Sequence, residues 1–225
     1  MNKIVNNFSI TVGTVNGSGS STANNTILRS IFKMGIPVSG KNLFPSNIQG
    51  LPTWYTIRAN KDGYIAHHET RDIVITLNVN SFARDLASVT PGGAFFYSDD
   101  IKLSINRDDI AVYPMPIKSI IRNDPNVPTD YRDLVGNMVY VGVLAQMIDM
   151  DMEKVLAALT FHFKGKQKPI DMNYNAVKAG AEWAKANLTK KDPFYLEPMN
   201  KTDGLIMADG NTAAALGTIF GGVQF

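Results

Sequence analysis

Short apolar runs rich in β-branched and aromatic residues recur along the first half of the chain, each with turn residues beside it. This pattern predicts five strands, at residues 8–12, 54–58, 73–77, 94–97 and 110–113. Between them, helical periodicity predicts helices at 20–34 and 80–89, the first with Ile27, Leu28 and Ile31 on one face. The residues 90–93, Thr-Pro-Gly-Gly, are expected to separate the second helix from the next strand. This β-α-β-α-β alternation predicts a mostly parallel sheet with helices on its faces.

The second half of the chain has a different pattern. Prolines at 114, 116, 125 and 128 predict an irregular connection, and three helical stretches follow at 131–148, 152–163 and 174–187. Residues 188–209 show no long period and are predicted to be a linker. The predicted fold is therefore α/β, a three-layer α/β/α sandwich with a mostly parallel, Rossmann-like sheet and a helical C-terminal region.

The last fifteen residues, 211–225, carry no charge and are dominated by small and apolar side chains. A helix of this composition exposes an apolar face unless another element covers it. We therefore expect this segment either to begin a second domain or to dock on a partner.

A glycine-rich segment, residues 13–19, lies between the first predicted strand and the first predicted helix. Glycines allow backbone N–H groups to approach a ligand closely, and a helix N-terminus favours an anion. The spacing is G-x-x-x-G-x-G rather than the dinucleotide fingerprint G-x-G-x-x-G, and the next acidic residue is Asp62. Ordinary NAD binding is thus disfavoured. A tight turn without a ligand and a variant loop that contacts an anion or cofactor both remain open.

Other candidate motifs are weak. The residues 35–42 match G-x4-G-K but end in Asn42, where a nucleotide-binding P-loop needs Ser or Thr. The pair His67 and His68 lacks the spacing of metal ligands. No serine or other nucleophile stands in a recognisable catalytic motif. We therefore predict neither a metal site nor a catalytic residue within this chain.

Composition narrows the function further. The net charge of +2 is too small to favour nucleic acid or a membrane surface, and no apolar run reaches the length of a membrane span. The chain has no cysteine, which excludes disulfides and any cysteine-ligated iron–sulfur cluster within these residues. A cytoplasmic protein is expected.

Two segments together carry a resemblance to a known family: residues 12–24, Val-Gly-Thr-Val-Asn-Gly-Ser-Gly-Ser-Ser-Thr-Ala-Asn, and residues 34–53, which include Gly-Lys-Asn-Leu-Phe-Pro-Ser-Asn-Ile-Gln-Gly. They resemble the gamma-type domain of 2-oxoacid:ferredoxin (acceptor) oxidoreductases, which is fused to the front of the alpha subunit in two-subunit enzymes. Residues 137–144 and 173–182 are similar to the helical tail of that domain. The resemblance implies a gamma-type domain at 1–190, a linker at 191–209, and at 210–225 the start of a truncated pyrimidine-binding (alpha) domain.

The resemblance implies a role in an enzyme that is inactive without its partner. Enzymes of this family use thiamine diphosphate to decarboxylate a 2-oxoacid, pass the electrons through an iron–sulfur cluster to ferredoxin, and transfer the acyl group to coenzyme A. Thiamine diphosphate, its Mg²⁺ and the cluster would belong to a beta subunit, so a hetero-oligomer is expected. The fused arrangement favours 2-oxoglutarate slightly over pyruvate as the substrate.

The resemblance also implies candidate binding residues near coenzyme A or the mouth of the active site. The first set lies in the glycine-rich segment: Gly13, Asn16, Gly17, Ser18 and Gly19. The second set is the following loop with one nearby lysine: Lys41, Ser46, Asn47 and Gln49. The alternative for both loops is packing against the next domain. The alternative functions are a non-catalytic nucleotide- or coenzyme-A-binding module and a subunit-interaction domain.

Overall fold

The computed structural model of the protein describes residues 2–44 and 50–224. Its main sheet has six strands: β2 (Asn7–Val15), β3 (Val38–Leu43), β4 (Pro52–Asn60), β5 (Arg71–Thr76), β6 (Val89–Ser98) and β7 (Ala111–Met115). Their order in space is β3-β4-β2-β5-β6-β7, and β4 runs against the other five. A separate pair is formed by the parallel strands β1 (Ile4–Val5) and β8 (Phe194–Tyr195).

Helices cover both faces of this sheet. They are α1 (Ser20–Lys33), α2 (Phe82–Ser88), α3 (Ile117–Arg122), α4 (Arg132–Met147), α5 (Met152–His162), α6 (Gln167–Asn187) and α7 (Gly210–Phe220). The helix α2 packs Phe82 against Val74 and Phe95 on one face. Helices α1 and α3 to α6 share the larger core on the other face. The predicted fold class, a mostly parallel α/β sheet between helical layers, is confirmed.

Several predicted boundaries were wrong, for identifiable reasons. The strand β3 was missed because it is a polar edge strand that needs only one neighbour, and four of its six residues are not apolar. The helix α3 was missed because it lies within the proline-rich connection, where Pro116 occupies the residue before its first turn. Residues 90–93 do not separate helix from strand but lie within β6. The helix α6 begins at Gln167 rather than at residue 174, with Pro169 tolerated in its first turn.

The segment that follows α6 is tied to the domain at least as far as Lys201. The Tyr113 hydroxyl donates to Asp192 Oδ2 at 2.8 Å, and Asn6 Nδ2 donates to the Glu197 carbonyl at 2.7 Å. Further along, the N–H groups of Met199 and Lys201 donate to the carbonyls of Met34 and Gly35. The helix α7 follows, and it has no buried residue; Ile219 and Phe220 are 69% and 87% exposed. Among the described residues, no helix combines the length and apolar character that a membrane crossing requires.

Candidate functional site

The glycine loop, residues 16–19, connects β2 to α1 at the carboxyl edge of the parallel strands. Gly17 and Gly19 have φ of 88° and 76°, a left-handed conformation that side-chain-bearing residues rarely adopt. The loop is anchored on two sides: the Asn16 N–H donates to the Leu51 carbonyl at 2.9 Å, and Asn137 Nδ2 donates to the Ser18 carbonyl at 2.9 Å. The loop is therefore held in one shape by contacts from the residue that precedes β4 and from α4.

The location of the loop is where open α/β sheets bind ligands. After β2 the chain turns into α1 on one face, and after the adjacent β5 it turns into α2 on the opposite face. Such a switch leaves a crevice outside the carboxyl ends of the two strands. Here the Asn78 side chain spans that crevice, with its Nδ2 3.5 Å from the Thr14 carbonyl.

A buried carboxylate fixes the base of the loop. Asp85 on α2 is fully buried and accepts hydrogen bonds from Trp54 Nε1, Thr76 Oγ1 and Ser81 Oγ, each at 2.7 Å. It lies so close to Gly13 that a Cβ there would come within 2.5 Å of Asp85 Oδ2. This network joins α2 to β4 and β5 beneath the loop. The Ser81 hydroxyl therefore donates to Asp85 and does not cap the N-terminus of α2.

A cavity of about 310 Å³, here called the neutral cavity, lies between the glycine loop, α1 and β4. Its walls are mainly hydroxyl and amide side chains: Thr14, Asn16, Ser20, Ser21, Asn24, Asn42 and Thr53. The Thr14 and Ser20 hydroxyls are 2.9 Å apart, and Asn24 Oδ1 accepts from the Tyr140 hydroxyl at 2.9 Å. Burial raises the pKa of Tyr55, also in the wall, against a smaller lowering by the Arg29 charge, so its phenol stays neutral. No Asp, Glu, Lys, Arg or His side chain from the described residues lines it.

A second cavity of about 670 Å³, here called the basic cavity, lies on the other side of the loop. Its charged residues come from three elements: Asp100 after β6, Lys118 and Arg122 on α3, and Arg132 and Asp133 at the start of α4. Lys118 and the Ser98 hydroxyl both donate to Asp100. Burial alone would raise the pKa of Asp100, but these two hydrogen bonds and the Lys118 charge outweigh burial and hold it below its ordinary value. The carboxylate is therefore ionised and paired at neutral pH.

The structure separates the predicted site residues. Gly17 lines both cavities, Asn16 and Gly19 line the neutral cavity, and Ser18 lines the basic cavity. Gly13 lines neither and packs on Asp85. Lys41 also lines neither cavity. Successive residues of β3 face opposite sides of the sheet, so Asn42, opposite Tyr55, lines the neutral cavity and Lys41, opposite Thr56, does not. Ser46, Asn47 and Gln49 lie outside the described residues, so their role stays a prediction.

Sequence reasoning missed most of the residues that line the two cavities. The hydroxyls and amides of α1 were visible as a polar run, 20–26, inside an otherwise apolar helical period, and that run was the available signal. Lys118 and Arg122 were missed together with α3, although their spacing of four places them on one face of a helix. In the described part of the chain no three His, Cys, Asp or Glu side chains are grouped as metal ligands would be. What the arrangement offers is recognition of a ligand by neutral donors on one side and by cations on the other.

Gly19 provides a test of the loop geometry. A Cβ at Gly19 would come within 2.2 Å of Leu134 Cδ2, whereas a Cβ at Gly17 would meet no heavy atom within 4 Å. Both positions have positive φ, for which alanine costs about 1 kcal/mol. We expect Gly17→Ala and Gly19→Ala each to destabilise the fold by about that amount, because the half-exposed Leu134 side chain can turn away from a Cβ at Gly19. Urea unfolding of both variants measures these losses, and no loss at either position would contradict the left-handed backbone conformation there.

Several known proteins are similar to this chain over most of its length. Residues 9–183 match the model of a family described as pyruvate ferredoxin/flavodoxin oxidoreductase. A curated relative, subunit alpha of 2-oxoacid:ferredoxin oxidoreductase 2 from Aeropyrum pernix, is 22% identical over 96% of the chain and 40% of its own length. The chain spans two fifths or less of the length of the curated relatives that it matches.

Two solved structures are similar as well. One is the 2-oxoglutarate:ferredoxin oxidoreductase of Magnetococcus marinus, solved with 2-oxoglutarate, coenzyme A and succinyl-CoA bound. Its TM-score with this chain is 0.86 at 26% identity, and the match covers 98% of this chain and 38% of that one. The other is the gamma subunit of a keto/oxoacid ferredoxin oxidoreductase from Geobacter sulfurreducens, with a TM-score of 0.65 and 15% identity over 80% of this chain and 99% of the subunit. The second likeness shows the fold: a whole gamma subunit corresponds to most of this chain.

Proposed function

The chain belongs to the pyruvate ferredoxin/flavodoxin oxidoreductase family, and we propose that it forms the part of a 2-oxoacid:ferredoxin oxidoreductase that caps the active site and helps to bind coenzyme A. The observation that carries this proposal is the glycine loop at the sheet's switch point, with the neutral cavity beside it. The Magnetococcus marinus enzyme, similar over 98% of this chain, was solved with coenzyme A bound. The proposed reaction is the oxidative decarboxylation of a 2-oxoacid to an acyl-CoA, with electrons passed to ferredoxin.

The neutral cavity suits the pantetheine arm of coenzyme A. That arm carries two amide groups and a hydroxyl but no charge, so it needs donors and acceptors rather than ions. Asn42 and Thr53 on one wall, with Ser21 on the other, supply such groups. Pairing a buried amide with these side chains avoids the loss that an unsatisfied polar group incurs. In this proposal Asn16, Gly17 and Gly19 contact coenzyme A, and Ser46, Asn47 and Gln49 form the second contact.

The other cofactors of the reaction are proposed to lie on a partner subunit. These residues contain no cysteine to ligate an iron–sulfur cluster. The described residues also hold no group of carboxylates and histidines suited to a Mg²⁺ ion. We therefore assign thiamine diphosphate, its metal and the cluster to a beta subunit. When bound there, these cofactors would supply the chemistry of decarboxylation and electron transfer. We derive no catalytic step from residues of this chain.

The remaining parts of the assignment are proposals of the same kind. We propose 2-oxoglutarate as the 2-oxoacid because it is bound in the Magnetococcus marinus structure. We propose a cytoplasmic hetero-oligomer in which residues 1–190 form the gamma-type domain, 191–209 a linker, and 210–225 the beginning of a pyrimidine-binding domain. The exposed apolar face of α7 favours, as the second candidate, a role mainly in subunit interaction.

A bulky substitution at the cavity tests the coenzyme A contact. Ser21 is exposed at the first turn of α1 and lines the neutral cavity, so Ser21→Phe fills the cavity without disturbing the core. In the assembled enzyme we expect the KM for coenzyme A to rise about tenfold, equivalent to about 1.4 kcal/mol, with the KM for the 2-oxoacid unchanged.

The matched control is Thr160→Phe, which places the same side chain at an exposed position on α5 outside both cavities. It should leave both KM values unchanged. An unchanged KM for coenzyme A in Ser21→Phe would remove the neutral cavity from the proposal and favour the interaction role.

A further inference from the structure

We propose that the basic cavity is a separate binding site for the phosphate group of a nucleotide. It holds about 670 Å³, a size typical of small-molecule and cofactor sites. Its walls include Val15 from the end of β2, Leu77 after β5 and Ser98 at the end of β6. It therefore lies outside the carboxyl ends of three parallel strands, where α/β sheets place ligands. The proposal does not depend on the assignment of the neutral cavity.

Two guanidinium groups at this cavity have donors to spare. Arg122 makes no hydrogen bond or ion pair with any described residue, and Arg132 makes a single long one there, from Nε to the Val127 carbonyl at 3.4 Å. They approach from different elements, Arg122 from α3 and Arg132 from α4. A planar guanidinium matches two oxygens of a phosphate group, and two of them from different directions can hold one phosphate.

The acidic residues of the cavity offset only part of this positive charge. Asp100 is already neutralised by Lys118, with Ser98 as a second donor. Asp133 lies in the first turn of α4, where a carboxylate is stabilised by the helix N-terminus. The lining therefore carries a net charge of +1, three cations less two carboxylates, all five of them residues of the same cavity. An acceptor such as Asp133 beside the arginines favours a ligand that has sugar hydroxyls as well as phosphate over a simple inorganic anion.

An unpaired hydroxyl in the wall points to the same conclusion. Ser18 Oγ is buried and has no hydrogen-bond partner within the described part of the chain, although Ser18 lines the cavity. Buried polar side chains in native proteins are nearly always paired. The exception is explained if the Ser18 side chain rotates about χ1 and its hydroxyl forms a hydrogen bond with a ligand in the cavity.

The test is nucleotide binding to the full 225-residue chain, measured by isothermal titration calorimetry with adenosine 3′,5′-bisphosphate, ADP and inorganic phosphate. The test variant is Arg122→Gln with Arg132→Gln, and the matched control is Lys178→Gln with Lys185→Gln, which removes two charges from α6, away from the cavity. We expect one of the two nucleotides to bind the wild type and the control equally. We expect the double arginine variant to bind it about a hundredfold more weakly, about tenfold for each charge-assisted contact. Inorganic phosphate should bind more weakly than that nucleotide.

Coenzyme A identifies the source of the phosphate. If the arginine variant weakens coenzyme A as well as the nucleotide, the site takes the nucleotide end of coenzyme A. If coenzyme A is unaffected and does not compete with the nucleotide, the ligand is a free nucleotide; both results support the site. Equal nucleotide affinity in the arginine variant and wild type, or no binding by any of the three probes, would overturn it. If the double variant is too unstable to titrate, Arg122→Gln alone replaces it, because this substitution changes an exposed side chain. The Ser21→Phe variant tests the neutral cavity independently of this result.

Discussion

Gly142→Ala is expected to destabilise the chain by about 3 kcal/mol or more, since a Cβ there would come within 1.9 Å of the Val177 carbonyl oxygen. The contact is reciprocal: a Cβ at Gly180 on α6 would come within 2.3 Å of the Val139 carbonyl oxygen on α4. The two helices thus meet backbone to backbone, and neither clash can be relieved by turning a side chain. Both contacts lie in the main core, so moving the two helices apart would loosen the packing around Val139 and Val177.

Gly136→Ala on the same helix is the matched control. The nearest atom to a Cβ at Gly136 is Ile117 Cγ2 at 3.6 Å, which is an ordinary contact. The substitution should stabilise α4 by about 1 kcal/mol through helix propensity alone. Guanidinium unfolding of both variants should therefore give midpoints on opposite sides of the wild-type value. Similar midpoints for the two would show that α4 and α6 do not cross this closely.

Asp85→Ala is expected to cost about 3–5 kcal/mol and to loosen the base of the glycine loop. Removing this carboxylate leaves three donors without their acceptor, two of them buried, on Thr76 and Ser81, and one half-buried, on Trp54. It also opens space beside Gly13, whose backbone packs on the carboxylate. The loss is measured by chemical unfolding.

Asp85→Asn separates hydrogen bonding from charge at the same position. An asparagine can accept from Trp54 through its carbonyl and donate to the two hydroxyls, which can act as acceptors. We expect it to recover most of the loss, leaving a deficit of about 1 kcal/mol. If asparagine is as damaging as alanine, the negative charge of Asp85 matters more than the hydrogen-bond network, through its attraction to Arg71.

The sequence predicts the core of this fold well because the central strands are buried on both faces. The strands around Ile10, Ile73 and Phe95 are short, β-branched or aromatic, and fully buried, which is the pattern that marks parallel strands. The position of the glycine loop follows from the same alternation, since a loop after a parallel strand must lie at the carboxyl edge. The strand β3 gives no such signal, because an exposed edge strand is polar.

The cavities could not be predicted because their residues meet only through the tertiary fold. Trp54 and Asp85 are 31 residues apart, and Asn137 reaches the Ser18 carbonyl across 119 residues. Whether Lys41 or Asn42 faces the neutral cavity depends on the alternation along β3, which the sequence did not reveal as a strand. Arg122 and Arg132 become neighbours of the loop only once α3 is placed next to α4.

The most direct test of the proposed role is to purify the protein natively from the cells that produce it and to assay ferredoxin reduction by 2-oxoacids with and without coenzyme A. We expect it to copurify with a cysteine-rich, thiamine-diphosphate-binding subunit, and reduction to require both a 2-oxoacid and coenzyme A, fastest with 2-oxoglutarate. Purification without such a subunit, and no coenzyme-A-dependent reduction with 2-oxoglutarate, pyruvate or a branched-chain 2-oxoacid, would contradict the proposal that this chain works as part of a 2-oxoacid:ferredoxin oxidoreductase.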